Sequence, residues 1–515
     1  ELFNLRGMIN NMKVENTQNL TAEGSETDPE SLIAYQNLQL TNLEKESIYD
    51  LLIIGGGVVG SASLAMASSD GLNSILLEKN DFASGASSRS TKLLHGGIRY
   101  LPQLQFGLVR ESLQEQKILG NLLGKLYKPL QLLAPIYKND GFADMPKIFQ
   151  NNFFAPKAFK LGLVLYDLLG TRKKGRKHKN ISVDETVKLF PLLKRKNLKK
   201  SFIFGDAQTD DAKLVMTLLR NAVEEHKATA VNYIEIVDIS KNKNIYEVEY
   251  IDKISLKTYK LRVKKIIAAT GVHDLPGNYK KKSSKMKYSG GAHLILKGDP
   301  LKLQKNAVLL PKTEDERIMF AIPWLGNTII GTTDTKTFSG TLDRPFADSN
   351  DKDYLVRHVK KYFEIDELTY ISSWSGVRAL LDSSSNSTKS ISRGHFVNLI
   401  ETGFVQIAGG KLTGFRLISQ EALQKVFNKK FDLKKLKFVE DILNLSDIYN
   451  EDQFDFTVKH YCVAKPTDYL LRRTHISWFN NNGALKSLKR ITSKYYSNTE
   501  YEESYKELAE EGLIS

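Results

Sequence analysis

The most constraining stretch of this chain lies between Asp50 and Glu78. Asp50-Leu51-Leu52-Ile53-Ile54 is a short run of branched apolar residues. Gly55-Gly56-Gly57-Val58-Val59-Gly60 follows at once. A run of that kind bounded by glycine reads as a buried parallel strand. The glycines keep Gly-x-Gly-x-x-Gly spacing and open a small-residue helix over Gly60 to Ser69. Ser74 to Leu77 reads as the next strand, and Glu78 ends it. Each position has a job in a dinucleotide site. Gly55 makes the tight turn, Gly57 lets backbone approach a pyrophosphate, and Gly60 lets helix pack on strand. Free amides at the helix start bind phosphate, and the acid after the second strand accepts from ribose hydroxyls. A tight strand-to-helix turn without a ligand is the plainer account of the glycines alone. The complete strand, turn, helix, strand and acid outweigh it.

FAD and NAD share that fingerprint, and the continuation separates them. Asp81 to Leu101 is dense in small hydroxyl residues, glycines and cations, which suits an extended phosphate-bearing cofactor. Ser87, Ser88, Thr91 and Lys92 are the candidate donors there. A later apolar strand, Lys265 to Ala269, ends in Thr270-Gly271 and returns to the same fold.

The remaining composition narrows the class. The 515 residues are too many for one ordinary core and fit two or three domains. Apolar residues are 41% and charged residues 26%, a globular balance. The net charge of +15 fits nucleic acid, an anionic membrane surface or an anionic substrate. The lone Cys462 excludes an internal disulfide framework and a cysteine-based metal site. No run reaches the roughly 20 apolar residues of a membrane-spanning helix. Residues 1–47 read as an acidic tail, most simply a flexible arm, with Glu15, Glu23, Glu26, Asp28 and Glu30 and no Lys or Arg from Val14 to Glu44. Gln103 to Lys128 has helical spacing, and Ala230 to Val263 alternates as antiparallel strands do. Asp348 to Val359 superficially suggests a calcium loop, but Asp353 stands at the glycine position and Val359 at the glutamate position.

The stretch 50–101 resembles the flavin domain of FAD-dependent glycerol-3-phosphate dehydrogenases of the mitochondrial and bacterial membrane-associated type. Ser87-Ser88-Arg89-Ser90-Thr91-Lys92-Leu93-Leu94-His95-Gly96-Gly97-Ile98-Arg99-Tyr100-Leu101 follows that family nearly position by position. Collinear matches continue through Asp210-Asp211-Ala212, Gly291-Ala292-His293, Ile322-Pro323-Trp324, Gly331-Thr332-Thr333-Asp334-Thr335, Trp374-Ser375-Gly376-Val377-Arg378, Ile391-Ser392-Arg393 and Ala408-Gly409-Gly410-Lys411-Leu412-Thr413. They cover about residues 48–480. Departures occur where the family usually has Asn-Ala-Thr-Gly-Pro, Arg-Pro-Leu and Lys-x-Thr-Thr-Tyr-Arg. Here stand Ala268-Ala269-Thr270-Gly271-Val272, Arg378-Ala379-Leu380 and Lys411-Leu412-Thr413-Gly414-Phe415-Arg416.

The resemblance implies an α/β fold. A FAD-binding doubly wound (Rossmann-like) domain would join an antiparallel-sheet substrate domain, interleaved over 48–430. The FAD parts would be about 48–130, 200–275 and 370–425, and the substrate parts about 130–200 and 276–370. A reduced helical C-terminal domain would occupy 431–515. The implied reaction is FAD-dependent oxidation of sn-glycerol 3-phosphate to dihydroxyacetone phosphate, with electrons passing to ubiquinone. FAD would be held by Gly55, Gly57, Gly60, Glu78, Ser87, Ser88, Thr91, Lys92, Gly271 and Gly410. Arg378, Arg393 and Lys411 would bind the phosphate with Thr413 nearby, while Arg99 and Tyr100 place the glycerol backbone. His293 would be the base, since histidine titrates near neutral pH; a satisfied core histidine is the competing account. Asp334 would orient that base or touch the flavin or substrate, and His95 would support the flavin loop.

The expected location is the mitochondrial inner membrane, peripheral or monotopic on anionic lipid, with no nucleic-acid partner. A homodimer or a larger mitochondrial assembly is left open. The Ser-Arg-Ser-Thr-Lys wording at 88–92 and a first residue that is not Met, read as a trace of import processing, motivate the mitochondrial part. The apolar stretch Phe149 to Leu169, followed by basic residues over 172–179, is the candidate membrane contact. Two alternatives stand beside this reading: an oxidase that uses oxygen, and a flavoprotein-like accessory subunit that has lost turnover.

Overall fold

A computed structural model describes residues 39–41, 43, 48–98, 105–138, 154–169, 178–381, 394–432 and 451–514. Two large sheets share the chain. The first has six strands in the order His395–Glu401, Phe404–Gly409, Ile266–Ala268, Leu51–Ile54, Ser74–Leu77 and Thr229–Val231. All its pairings are parallel except the His395–Glu401 hairpin with Phe404–Gly409. Leu51 to Ile54 is buried at every position because both faces of this sheet are covered. Leu51, Ile53 and Leu76 meet residues of the helices Val58–Ser69, Asp211–Arg220 and Phe415–Phe427. Leu52, Ile54, Ile75 and Leu77 meet Tyr246, Val248 and Leu261 of a three-stranded antiparallel sheet, Ile234–Asn242, Ile245–Asp252 and Lys257–Val263. The alternation noted over 230–263 is therefore real strand, and it caps the second face of the dinucleotide sheet.

The second sheet has eight strands in the order Ser372–Leu381, Met286–Leu296, Asn327–Gly331, Met319–Trp324, Ala307–Leu310, Lys128–Tyr137, Leu198–Gln208 and Lys179–Ile181. Only the pair Ala307–Leu310 with Lys128–Tyr137 is parallel. Helices Phe106–Leu122 and Phe154–Leu169 pack on one face through Val109, Leu113, Phe159, Leu163 and Tyr166. The helix Ser349–Tyr362 packs on the other, and the rejected calcium loop is the start of this helix, N-capped by Asp348.

From Glu451 onward the described chain is mainly helical. It is not a detached unit: Leu470, Ile476 and Trp478 share one apolar cluster with Ile295, Trp324 and Trp374 of the eight-stranded sheet. The end of the acidic N-terminal segment is also packed rather than free. Gln39 is 2% exposed, its Oε1 accepts the amide of Ala230 on the open edge of the dinucleotide sheet at 3.1 Å, and Leu43 joins the core beside Tyr49. An edge strand left bare is a liability, and this side chain covers one of its amides.

Candidate active site

The three glycines of the turn are needed for three different reasons. Gly55 has φ +107°, and a Cβ there would lie 2.5 Å from the Ala269 carbonyl oxygen. A Cβ on Gly60 would overlap the Gly55 carbonyl oxygen, so helix and strand touch backbone to backbone. A Cβ on Gly57 would meet only Ser87 Oγ, at 3.2 Å. The space over Gly57 is therefore the one a ligand can use. Beside it, the amide of Val58 donates to Ser87 Oγ at 3.0 Å. Glu78 Oε2 accepts the Gly56 amide at 2.6 Å, and Oε1 accepts the Asn80 amide at 2.8 Å. Burial pushes its carboxyl pKa up, against the pull of those two amides. A cradle open only above Gly57, a helix start and an acid at the end of the neighbouring strand fit the pyrophosphate and ribose of FAD. Gly271 has φ +63°, and Gly410 has φ +107° with Ile418 2.7 Å from where a Cβ would stand.

Ser87 to Lys92 folds back on itself rather than lying extended. The Lys92 ammonium, expected at the cofactor, contacts Asp211 Oδ1 at 2.5 Å and the Ser88 carbonyl at 2.6 Å, and sits over the rings of Trp324 and Trp374. Asp211 Oδ2 accepts the amide and hydroxyl of Ser90 at 3.2 and 2.6 Å. Lys92 thus fastens the loop from beneath, because a buried ammonium needs a carboxylate. Asp210, next to it, caps the helix Asp211–Arg220 and accepts from His475 at 2.8 Å.

His293 lies in the strand Met286–Leu296, in register with Gly331 on one side and Trp374 on the other. Its ring stacks on Trp374 with centroids 5.3 Å apart. A Cβ on Gly331 would overlap His293 Cδ2. Nε2 is 2.9 Å from Thr91 Oγ1, while Nδ1 is buried facing the Gly291 backbone without a well-formed hydrogen bond among the described residues. Burial first, then the charges of Arg378 and Lys92, hold its pKa well below the ordinary histidine value.

Arg378 reaches across from the strand Ser372–Leu381. Its guanidinium donates to Thr332 Oγ1 at 3.0 Å, to the Gly290 carbonyl at 3.2 Å and to the Thr333 carbonyl at 3.4 Å. Its side chain is still 36% exposed. Asp334 pairs with Arg378 at 3.6 Å, with Arg317, and accepts the Ser289 hydroxyl. Asp334 is thus an anchor for arginines. Lys411 donates to Ser112 Oγ of the helix Phe106–Leu122, and burial lowers its pKa against the pull of Glu111 and Glu115. Thr413 donates to the His95 carbonyl at 3.2 Å. Arg99, Tyr100 and Arg393 lie outside the described residues.

Sequence reasoning missed Arg317 and the pairing of Asp81 with Arg472 and Arg473. Arg317 stands in the ordinary-looking run Glu314-Asp315-Glu316-Arg317 and carries no motif signal. Asp81 and Arg473 are nearly 400 residues apart, yet meet at 2.7 Å through both guanidinium nitrogens.

A family model described as FAD dependent oxidoreductase, DAO, matches residues 50–416. The aerobic glycerol-3-phosphate dehydrogenase of Staphylococcus aureus (strain USA300) is 34% identical over 386 residues, 73% of this chain and 67% of that protein. The enzyme of the same name from Staphylococcus saprophyticus is 32% identical over 483 residues, 91% of this chain and 82% of that protein. Among solved structures, the glycerol-3-phosphate dehydrogenase of Bacillus halodurans complexed with FAD superposes with TM-score 0.69 at 22% identity, covering 93% of this chain and 97% of that one. The L-alpha-glycerophosphate oxidase of Mycoplasma pneumoniae, with FAD bound, gives 0.55 at 20% identity, covering 75% and 96%. At those identities the superpositions establish the fold.

Proposed function

The chain belongs to the FAD-dependent oxidoreductase family, and on that premise we propose that it oxidises sn-glycerol 3-phosphate to dihydroxyacetone phosphate and passes the electrons to a membrane quinone. The observation that carries the substrate is the 32% identity over 91% of the chain to a protein named for that activity, a span that includes both sheets. FAD, when bound, supplies the hydride acceptor. Gly55, Gly57, Gly60 and Glu78 would hold it, with Ser87, Ser88, Thr91, Gly271 and Gly410 at its border. Arg378 is suited to grip a phosphate, because its planar fork is always charged and part of it faces solvent. Arg393, Lys411 and Thr413 would share that phosphate, and Arg99 and Tyr100 would place the glycerol backbone. His293 would be the base, and its lowered pKa keeps it neutral and able to accept a proton at pH 7.

The quinone assignment draws on the helix Phe154–Leu169. Leu161 is 62% exposed, Leu168 is 54% exposed, and Val164 lies between them on the same face. No helix among the described residues is long and apolar enough to cross a membrane. An exposed apolar stripe of this kind suits a peripheral seat on a lipid surface, where quinone resides. The basic residues 172–177 lie outside the described residues. The relatives named above are bacterial and lend no support to the mitochondrial inner membrane, which rests on the wording of residues 88–92.

The test is anaerobic addition of glycerol 3-phosphate to the yellow holoprotein. Loss of the flavin's visible absorbance is expected, with reoxidation faster by a quinone analogue than by oxygen. A flavin that dithionite bleaches and glycerol 3-phosphate does not refutes the substrate. Faster reoxidation by oxygen refutes the acceptor.

A further inference from the structure

Resting on that reading, we propose that Thr91 takes the proton of the substrate hydroxyl and relays it to His293, whose Nε2 meets the Thr91 hydroxyl among the described residues. The argument is one of access. His293 is 1% exposed, closed in by Trp374 on one side and by Gly331 on the other. Its Nδ1 is buried and, among the described residues, faces the Gly291 backbone without a well-formed hydrogen bond. Among the described residues its Nε2 has one hydrogen-bonding contact, the Thr91 hydroxyl at 2.9 Å. Thr91, by contrast, is half-buried, so its hydroxyl is the outward end of the pair. A base must reach the proton it abstracts directly or through one intervening hydrogen-bonding group. Here that group is built in.

The loop also fixes Thr91 from both sides. Ser90 before it and Lys92 after it bind the two oxygens of the same buried carboxylate, Asp211. The hydroxyl of the residue between them is therefore presented with little freedom. A hydroxyl both accepts and donates, which a relay requires. As the C2 hydride leaves to FAD, the substrate hydroxyl gives its proton to Thr91 Oγ1, and Thr91's own hydrogen passes to His293 Nε2. The C2–O bond becomes the ketone, two electrons have gone to FAD, and one proton rests on the imidazole. The route needs a lone pair on Nε2, so the neutral ring carries its hydrogen on Nδ1. Burial, and then the charges of Arg378 and Lys92, disfavour the charged ring, so the proton would return outward by the same path.

The experiment uses the holoprotein with Thr91→Val, which removes the hydroxyl and keeps the branched shape, and Thr91→Ser, which keeps it. Flavin reduction by glycerol 3-phosphate is followed in stopped flow, and the histidine tautomer by NMR of the ¹⁵N-histidine protein, with His293→Asn assigning the resonance. In its FAD-loaded fraction Thr91→Val should leave KM unchanged while slowing reduction roughly 10²-fold. Thr91→Ser should recover most of the rate. The double variant Thr91→Val with His293→Asn should be no slower than the slower single variant, because both interrupt one path. Wild-type His293 should be protonated on Nδ1, and its resonances should move in Thr91→Val. Wild-type reduction rates in Thr91→Val, multiplied losses in the double variant, or a hydrogen on Nε2 would each overturn the relay. If glycerol 3-phosphate leaves the wild-type flavin oxidised while dithionite reduces it, the substrate reading has failed instead. The tautomer measurement then still decides the Thr91–His293 pairing.

Discussion

Replacing Asp81 with Asn should loosen the C-terminal helices and the cofactor edge together. The Asp81 carboxylate accepts from Arg472 Nε, from Arg473 Nη1 and Arg473 Nη2 (2.7 Å for each of these two), and from Asn232 Nδ2 at 3.0 Å, with all four side chains buried. Burial works to raise its pKa, but the two guanidiniums win and hold it low. Asp468, bonded to Arg472 at 3.1 Å, is pushed up by burial and by the Asp81 charge. Asparagine removes the charge and turns an amide toward arginine donors. Breaking a buried pair from one side costs about 3–5 kcal/mol, because uncompensated charge remains. Unfolding entropy of about 2.1 cal/mol/K per residue gives roughly 1.1 kcal/mol/K for this length, so Tm should fall by about 3–5 °C if the chain unfolds as one unit. Asp81 is three residues beyond Glu78, so flavin fluorescence should report release of FAD at the same lowered temperature. Calorimetry and flavin fluorescence on one sample provide both readouts. A drop under about 1 °C with unchanged flavin release would refute the view that this network joins the C-terminal helices to the cofactor edge.

Three further outcomes are expected. Arg378→Met should lower kcat/KM for glycerol 3-phosphate by about 10²–10³-fold, about 3–4 kcal/mol for the loss of a hydrogen-bonded charge partner of the phosphate, while FAD content holds; equal kinetics would move the phosphate elsewhere. Glu401→Gln should matter only above acid pH. Burial alone would raise Glu401, but hydrogen bonds from Lys241, Tyr279, Tyr246 and Lys282 bring it down to about 2. A carboxylate with a depressed folded pKa stabilises above its unfolded value near 4.5, and that stability is lost as pH falls toward 2. The gap between wild type and variant in denaturant titrations should therefore close over that window, and a gap independent of pH would deny the carboxylate this role. The triple variant Leu161→Ser, Val164→Ser, Leu168→Ser should detach the protein from anionic liposomes and keep activity with a soluble dye; firm retention would put the contact on another surface.

The sequence by itself determined what depends on neighbours along the chain. The glycine turn was legible because steric demands at Gly55 and Gly60 act within a few residues, and Glu78 lies at a fixed distance imposed by one helix and two strands. The alternation over 230–263 and the helical spacing over 103–128, realised as the helix Phe106–Leu122, were legible for the same reason: period reports which face is covered. Only the tertiary structure decided what covers those faces, and which cations are spent on which carboxylates. Lys92 had the composition of a cofactor donor, yet Asp211, more than a hundred residues away, takes its charge. Asp334 stood in a motif suited to orienting a base, and the fold turns it to Arg317 and Arg378. Gln39 sat in a segment that read as an arm, and it covers the amide of Ala230 on a strand edge 191 residues further along the chain. A buried charge must find its counter-charge wherever the chain brings one, at any separation in sequence. The His293 ring follows the same rule: its motif located it, but its closure behind Thr91 is a property of three strands and a loop that meet only in the folded protein.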